Sequence, residues 1–164
     1  IYGRYGFSDV LTMFLAMDSY VELYKGGVIP LKEYAKMPYD RDILVRLIVK
    51  KEKAVFDYQS VRNSQTDFPV LTCCASLIGN EARTVIGARS ARAMVVEDQE
   101  HILENFDQKS EEAKKEAIQK FADYAAEHVP TSGNMRGSKE YRTLLVKVLT
   151  RRAWEVAGGM KDEH

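Results

Sequence analysis

Val70-Leu71-Thr72-Cys73-Cys74-Ala75-Ser76-Leu77-Ile78-Gly79-Asn80-Glu81-Ala82-Arg83-Thr84-Val85-Ile86-Gly87-Ala88 is the stretch on which the fold turns. Residues 70–78 and 82–88 are β-prone runs, and Gly79-Asn80-Glu81 between them has the residues of a tight hairpin. Side chains alternate across a strand, so adjacent Cys73 and Cys74 face opposite sides of the sheet. That geometry suits neither a disulfide nor a shared metal, and the pair reads as two small buried apolar residues. With no further cysteine, the chain carries no iron–sulfur ligands of its own. This cysteine usage points to a cytoplasmic protein.

Outward from the hairpin, Ala54 to Arg62 is a preceding strand, giving an expected three-stranded antiparallel sheet, and Asn63 to Pro69 is a polar loop. The charged run Lys50-Lys51-Glu52-Lys53 marks the division placed here between residues 1–52 and 53–164. Before it, Ser8 and Asp9 make a helix start, a capping hydroxyl followed by an acid that the helix dipole favours. Val10 to Met17 is apolar nearly all round, which predicts a helix buried on most faces. Tyr20 to Tyr24 is a strand, Lys25-Gly26-Gly27 turns it back into Val28-Ile29, and Leu31 to Ala35 is a short helical piece. Met37-Pro38-Tyr39-Asp40 is a loop and Ile43 to Val49 a strand. After the hairpin, the pattern predicts a short helix around Gln99 to Asn105. A longer helix capped by Ser110 follows, with Ala113, Ala117, Ile118, Phe121, Tyr124, Ala125 and Val129 on one face. Ser138 caps the last helix, whose predicted stripe is Tyr141, Leu144, Leu145, Val148, Leu149, Ala153 and Val156. Gly158-Gly159 stops it, and Met160 to His164 is expected to fray. The class is α+β: antiparallel sheets with helices packed on one face.

The 164 residues carry 24 basic and 24 acidic side chains. No global field draws the chain to nucleic acid or an anionic membrane. No apolar run approaches the roughly 20 residues of a membrane span. Ile1-Tyr2-Gly3-Arg4 lacks the layout of a signal peptide and reads as a cut inside a longer chain. His101, His128 and His164 have no partners at metal-ligand spacing, and there is no Gly-x-Ser-x-Gly, Walker loop or intact Gly-x-Gly-x-x-Gly. No residue is therefore assigned a catalytic or metal-binding role. Three features remain. The loop Gly3 to Asp9 leads to a helix N-terminus and lets backbone N–H groups approach a ligand. Arg83, Arg89 and Arg92, with Arg151 and Arg152, make either a surface for an anionic partner or a row of solvated side chains. Trp154 falls off its helix's apolar stripe and packs on the sheet or on a neighbouring subunit.

In order along the chain, these residues resemble the flavin-binding subunit of the molybdenum hydroxylases, the xanthine and carbon monoxide dehydrogenase group. Ile1 to Asp9 is similar to the second part of that family's glycine-rich loop, with the Gly-Gly-Asn turn missing. Leu31-Lys32-Glu33-Tyr34 resembles its Leu-x-Glu-Phe segment, and Asp42-Ile43-Leu44-Val45 its Glu-Ile-Leu strand. Arg62 with Asp67-Phe68-Pro69 is similar to the Arg…Asp-Ile-Ala stretch that begins its carboxy-terminal domain. Val85-Ile86-Gly87-Ala88 resembles the Leu-Gly-Gly-Val strand, and Gly137 to Ala153 the final helix.

The resemblance implies a carboxy-terminal domain of the carbon monoxide dehydrogenase flavoprotein type, following a remnant of the second FAD-binding subdomain in residues 1–52. It implies FAD in the full-length subunit and electron passage from iron–sulfur clusters through FAD to NAD or another acceptor. The implied partners are a molybdopterin-binding subunit and a 2Fe–2S subunit in a hetero-oligomer, with xanthine-type purine oxidation as the default reaction. Carried over by position, Asp9 is the loop acid near the ribityl chain, Leu44 the apolar contact of the ring, and Ser8 a loop neighbour. Gln59 or Ser60 stands where many members carry a Lys near the flavin, and the pyrophosphate loop is missing. The chain alone is therefore expected to bind FAD weakly or not at all and to be inactive. The competing reading is a non-enzymatic α+β interaction module that docks through the arginines and Trp154.

Overall fold

A computed structural model describes residues 1–3, 5–39 and 41–160, with Asp9 described by its backbone alone. Arg4, Asp40 and residues 161–164, which include His164 and most of the expected frayed tail, lie outside the described residues. The elements run α1 (Asp9–Ala16), β1 (Ser19–Leu23), β2 (Gly27–Pro30), α2 (Leu31–Tyr34), β3 (Leu44–Val49), β4 (Ala54–Arg62), β5 (Pro69–Ile78), β6 (Glu81–Gly87), β7 (Met94–Val96), α3 (Glu111–His128) and α4 (Lys139–Ala157). Two antiparallel sheets result, ordered β2-β1-β3 and β4-β5-β6-β7. The α+β class is as the sequence indicates.

Two local expectations fail. The larger sheet has four strands rather than three, because Met94 to Val96 pairs with Thr84 to Ile86. That run is too short to show a period, yet Val95 and Val96 bury into opposite cores. The helix expected around Gln99 to Asn105 does not form. The Asp98 carboxylate accepts the Ile102 and Leu103 N–H groups at 3.0 and 2.8 Å. His101 and Asn105 take left-handed φ values of 54° and 50°. A local Asp-to-backbone turn has replaced helical bonding there, and only a 3₁₀ turn at Phe106–Gln108 follows.

The long elements start and stop where their capping residues dictate. Ser8, Ser110 and Ser138 each accept an N–H from three residues on, at 3.2, 3.3 and 3.1 Å. At the end of α4, Gly159 adopts φ +71°. Its N–H donates to the Val156 carbonyl at 3.0 Å, and the Met160 N–H donates to Glu155 at 2.9 Å. This paired closure satisfies two orphan carbonyls and needs a left-handed residue at Gly159. Met160 packs against the core instead of fraying.

One face of the larger sheet carries the main core. Leu71, Cys73 and Ala75 of β5 and Ile86 of β6 meet α3 and α4 there. The buried face of α3 is the predicted one. That of α4 is not: it comprises Arg142, Leu145, Val146, Leu149, Thr150, Ala153, Trp154 and Ala157. Tyr141, Leu144 and Val156 of the predicted stripe are exposed. The helix is rotated by about one residue from its apolar pattern because an arginine, a threonine and the tryptophan occupy core positions. Trp154 is fully buried, its ring edge-on to Phe106 at 4.9 Å and its Nε1–H donating to the Thr84 hydroxyl at 2.8 Å.

The opposite face of β5 and β6 is covered by α1 and the smaller sheet, so Cys73 and Cys74 do point into separate cores. Helix α1 is less buried than its composition implies, since Val10 and Met13 face solvent. Its buried side joins Leu11 and Leu15, in the second core, to small and hydroxyl residues. Thr12 and Thr72 hydroxyls share a hydrogen bond of 3.0 Å, and Ser76 donates to the Ala16 carbonyl at 2.7 Å. A Cβ on Gly87 would lie 2.1 Å from the Thr12 hydroxyl and 2.5 Å from that of Thr72. The helix can therefore sit at this distance only because residue 87 has no side chain.

Candidate functional site

Residues 1–3 and 5–8 lie along the rim of both halves. At one end, the Tyr2 hydroxyl donates to the Asp42 carbonyl at 2.8 Å. The Asp42 carboxylate accepts backbone N–H groups from Lys25 at 3.0 Å, Gly26 at 2.8 Å and Ile43 at 2.8 Å. Burial alone would raise the Asp42 pKa, but the hydrogen bonds from Lys25, Ile43 and Gly26 outweigh it and hold the carboxyl below its usual range. Tyr39 and Ile43 leave apolar and aromatic surface open at this end.

At its other end the loop closes over the larger sheet. Phe7 meets Phe68 edge-on at 4.8 Å, and the Arg136 guanidinium lies 5.1 Å over the Phe68 ring. Between them opens a cavity of about 720 Å³, walled by Tyr5, Gly6 and Phe7 from the loop, Phe68 and Pro69, Ala88 and Ser90, and the 132–136 segment, with Arg142 behind. Ala88 and Ser90 both take left-handed backbone, φ 55° and 65°. Such conformations cost non-glycine residues about 1 kcal/mol or more each. Arg89 between them secures the bend, donating to the Arg92 carbonyl at 3.0 Å and the Pro130 carbonyl at 2.7 Å.

Arg142 is almost wholly buried and fastens the segment before α4. It donates to the carbonyls of Val70 (2.9 Å), Ser132 (2.7 Å) and Gly137 (2.7 Å), and to Asn134 Oδ1 (2.7 Å). Burial lowers its pKa, and the positive charge of Arg136 acts in the same direction. Arg136 pairs with Asp67 at 3.1 Å, and the Arg62 guanidinium donates to the Asp67 carbonyl at 2.7 Å. The Arg136 bond and the Phe68 N–H, helped by the two arginine charges, hold the Asp67 carboxyl below its usual range against the opposing effect of burial.

The sequence-predicted residues do not converge on this cavity. Ser8 caps α1, and the Asp9 side chain lies outside the described residues. Leu44 heads β3, half-buried against the second core and paired with Leu23. Gln59 hydrogen-bonds Asp57 at 2.6 Å. The arginines of the expected docking surface turn inward instead. Arg83 donates to the Leu15 and Met17 carbonyls at 3.3 and 3.0 Å, and Arg92 to the Ala35 carbonyl at 2.7 Å. With Arg89 on Pro130, three arginines thus hold the chain at the ends of α1, α2 and α3, where carbonyls lack helical partners and the dipole is negative. With Trp154 also internal, the interaction-module reading loses Trp154, Arg83, Arg89 and Arg92 as surface groups; Arg151 and Arg152 remain exposed. Among the described residues, no cluster of three or more His, Cys, Asp or Glu could hold a metal, and no helix is long and apolar enough to cross a membrane.

Sequence reasoning missed Arg136, Arg142 and Ser90. Only Arg142 left a signal, an arginine three residues inside an apolar helix.

This frame, a four-stranded sheet backed by two helices with a loop closing over its strand ends, defines an α+β domain of one particular family. Residues 56–157, more than half of the chain, match the family described as the CO dehydrogenase flavoprotein C-terminal domain, and the chain belongs to that family. Similar structures include carbon monoxide dehydrogenase from Hydrogenophaga pseudoflava lacking the Mo-pyranopterin moiety of its cofactor (18% identity, TM-score 0.78, 96% of this chain and 59% of that one). Reconstituted CO dehydrogenase from Oligotropha carboxidovorans matches at 18% identity and TM-score 0.74 (93% and 57%). Quinoline 2-oxidoreductase from Pseudomonas putida 86 matches at 17% identity and TM-score 0.71 (93% and 56%). The chain spans less than two thirds of the length of these structures, and at such identity they establish the fold alone. No curated protein matches the sequence.

Proposed function

We propose that the chain is the carboxy-terminal part of the FAD-binding subunit of a molybdenum-dependent hydroxylase. The observation that carries this reading is the family match over residues 56–157, on a fold whose amino-terminal loop lies across both sheets. The rim fits a flavin in part. Tyr39 and Ile43 offer exposed apolar surface to a flat ring, and nothing stands within 4 Å of where a Cβ on Gly6 would be, so backbone can be approached there. Asp9 would meet the hydroxyls of the ribityl chain, Leu44 would present apolar surface to the ring, and Ser8 would hold the loop to α1. When bound, FAD would take electrons from iron–sulfur clusters and pass them to NAD or another acceptor.

In this reading the larger sheet and α3–α4 brace the loop, and residues 1–52 and 53–164 act as the end of one subdomain and a whole second one. The working complex is cytoplasmic and hetero-oligomeric, with a molybdopterin-binding subunit and a 2Fe–2S subunit. Purine oxidation of the xanthine type is its default reaction, and oxidation of carbon monoxide or a quinoline-like heterocycle the alternative that the similar structures favour. The isolated chain holds FAD weakly or not at all, because most anchoring donors would lie elsewhere in the subunit.

Flavin absorbance of two proteins tests this, the product of the full gene and the 164-residue chain. The full product is expected to retain FAD at one per subunit, with occupancy reduced by Asp9→Asn and Leu44→Ala. A full product without flavin overturns the reading, and stoichiometric FAD in the short chain overturns its claim of weak binding.

A further inference from the structure

We infer that the cavity between Phe7, Phe68 and the 132–136 segment is a binding site for a flat heterocycle carrying a phosphate group. The inference stands on this cavity and not on the flavin reading. Its lining includes two arginines and no carboxylate. Among the described residues Arg142 is held only by neutral acceptors, three carbonyls and the Asn134 amide oxygen, so no described acid offsets its charge directly. Arg136 commits its Nε to Asp67, while its two terminal nitrogens make no hydrogen bond among the described residues. The same Asn134 oxygen accepts from Arg142 and from the Arg136 N–H at 2.9 Å, which ties both arginines to one loop.

A buried cation without a counter-charge is costly unless an anion approaches it. Planar guanidinium forks suit phosphate oxygens, which Arg binds through paired hydrogen bonds. The aromatic walls suit the rest of such a ligand. Phe68 already stacks beneath one guanidinium, and Phe7 stands edge-on to it. A space of about 720 Å³ lies within the usual range for small-molecule sites. The strained Ala88 and Ser90 backbone shapes the wall facing this space.

The purified chain is titrated calorimetrically with two matched pairs, AMP against adenosine and FMN against riboflavin. The phosphate-bearing member of each pair is expected to bind about tenfold or more tighter, with the difference shrinking as salt is raised. Arg136→Gln should erase most of that difference. Because this change also releases Asp67, Ser90→Asp provides a second variant. Ser90 is exposed, aspartate tolerates left-handed backbone, and the new carboxylate reverses the local charge while thermal unfolding confirms the fold. Preference for AMP assigns the site to a separate nucleotide, and preference for FMN to the flavin cofactor itself; either supports the inference. Equal binding within each pair, no binding by any of the four, or a phosphate preference that survives both variants overturns it. A full-gene product that carries no flavin yet binds AMP here would sink the flavin reading alone.

Discussion

The two faces of the β5–β6 hairpin are packed by different chemistry. Toward α3 and α4, large apolar side chains interdigitate and the burial is continuous. Toward α1, an apolar cluster that includes Leu11, Leu15, Cys74, Val85 and Val95 is joined by two threonines, a serine and a glycine in close contact. The first face is held by area removed from water, which tolerates exchange of one apolar group for another of similar size. The second adds to its apolar burial a close approach and a few buried hydrogen bonds, which tolerate little exchange.

Mutations can break or sharpen that contrast. Trp154→Ala on the first face should cost about 3–5 kcal/mol by urea unfolding, as a large cavity opens beside Phe106. Trp154→Phe should cost about 1–3 kcal/mol, because the Thr84 hydroxyl loses its partner. On the second face Gly87→Val, a change that adds atoms, should also cost about 3 kcal/mol; a cost near zero would mean α1 does not lie where described. Thr12→Val should cost about 1–3 kcal/mol by orphaning Thr72, and the Thr12→Val/Thr72→Val pair should recover part of that loss. Additive costs would show the two hydroxyls to be independent.

Arg83→Met should cost about 1–2 kcal/mol and speed amide exchange in α1 before the rest of the molecule. The smallest effect is electrostatic. Asp42 and Asp67 have folded pKa values below their unfolded ones, near 4. Their contribution is therefore complete above about pH 4 and fades as pH falls through the lower folded values. Acid should loosen the Gly26 and Phe68 amides first, seen as lost protection in NMR exchange. Loosening that appears as pH rises instead would contradict the assigned partners.

The contrast also explains what could be read in advance. β-Prone runs bounded by turn residues located β1, β3, β4, β5 and β6, and a regular apolar face located α3. Apolar periodicity misplaced the buried face of α4, where Arg142, Thr150 and Trp154 face inward with polar atoms satisfied. Nothing in the sequence hinted at which strands α1 docks on, since Thr12, Thr72, Ser76 and Gly87 at its closest contacts are residue types common in loops and on surfaces. Arg83, Arg89 and Arg92 misled for the same reason: a cation bound to carbonyl oxygens is indistinguishable in sequence from one bound to water. The glycine-rich loop was legible as the segment that leads through Ser8 into α1. The cavity beneath it was not, because its walls come from four separated stretches that only the fold brings together.

Helix α1 precedes the lysine-rich run at residues 50–53 but nests against strands that follow it. The two halves of the chain are thus clasped by packing as well as joined by peptide. A proteolytic nick within 50–53 should leave both pieces travelling together on a sizing column, and should part them only when denaturant loosens the clasp.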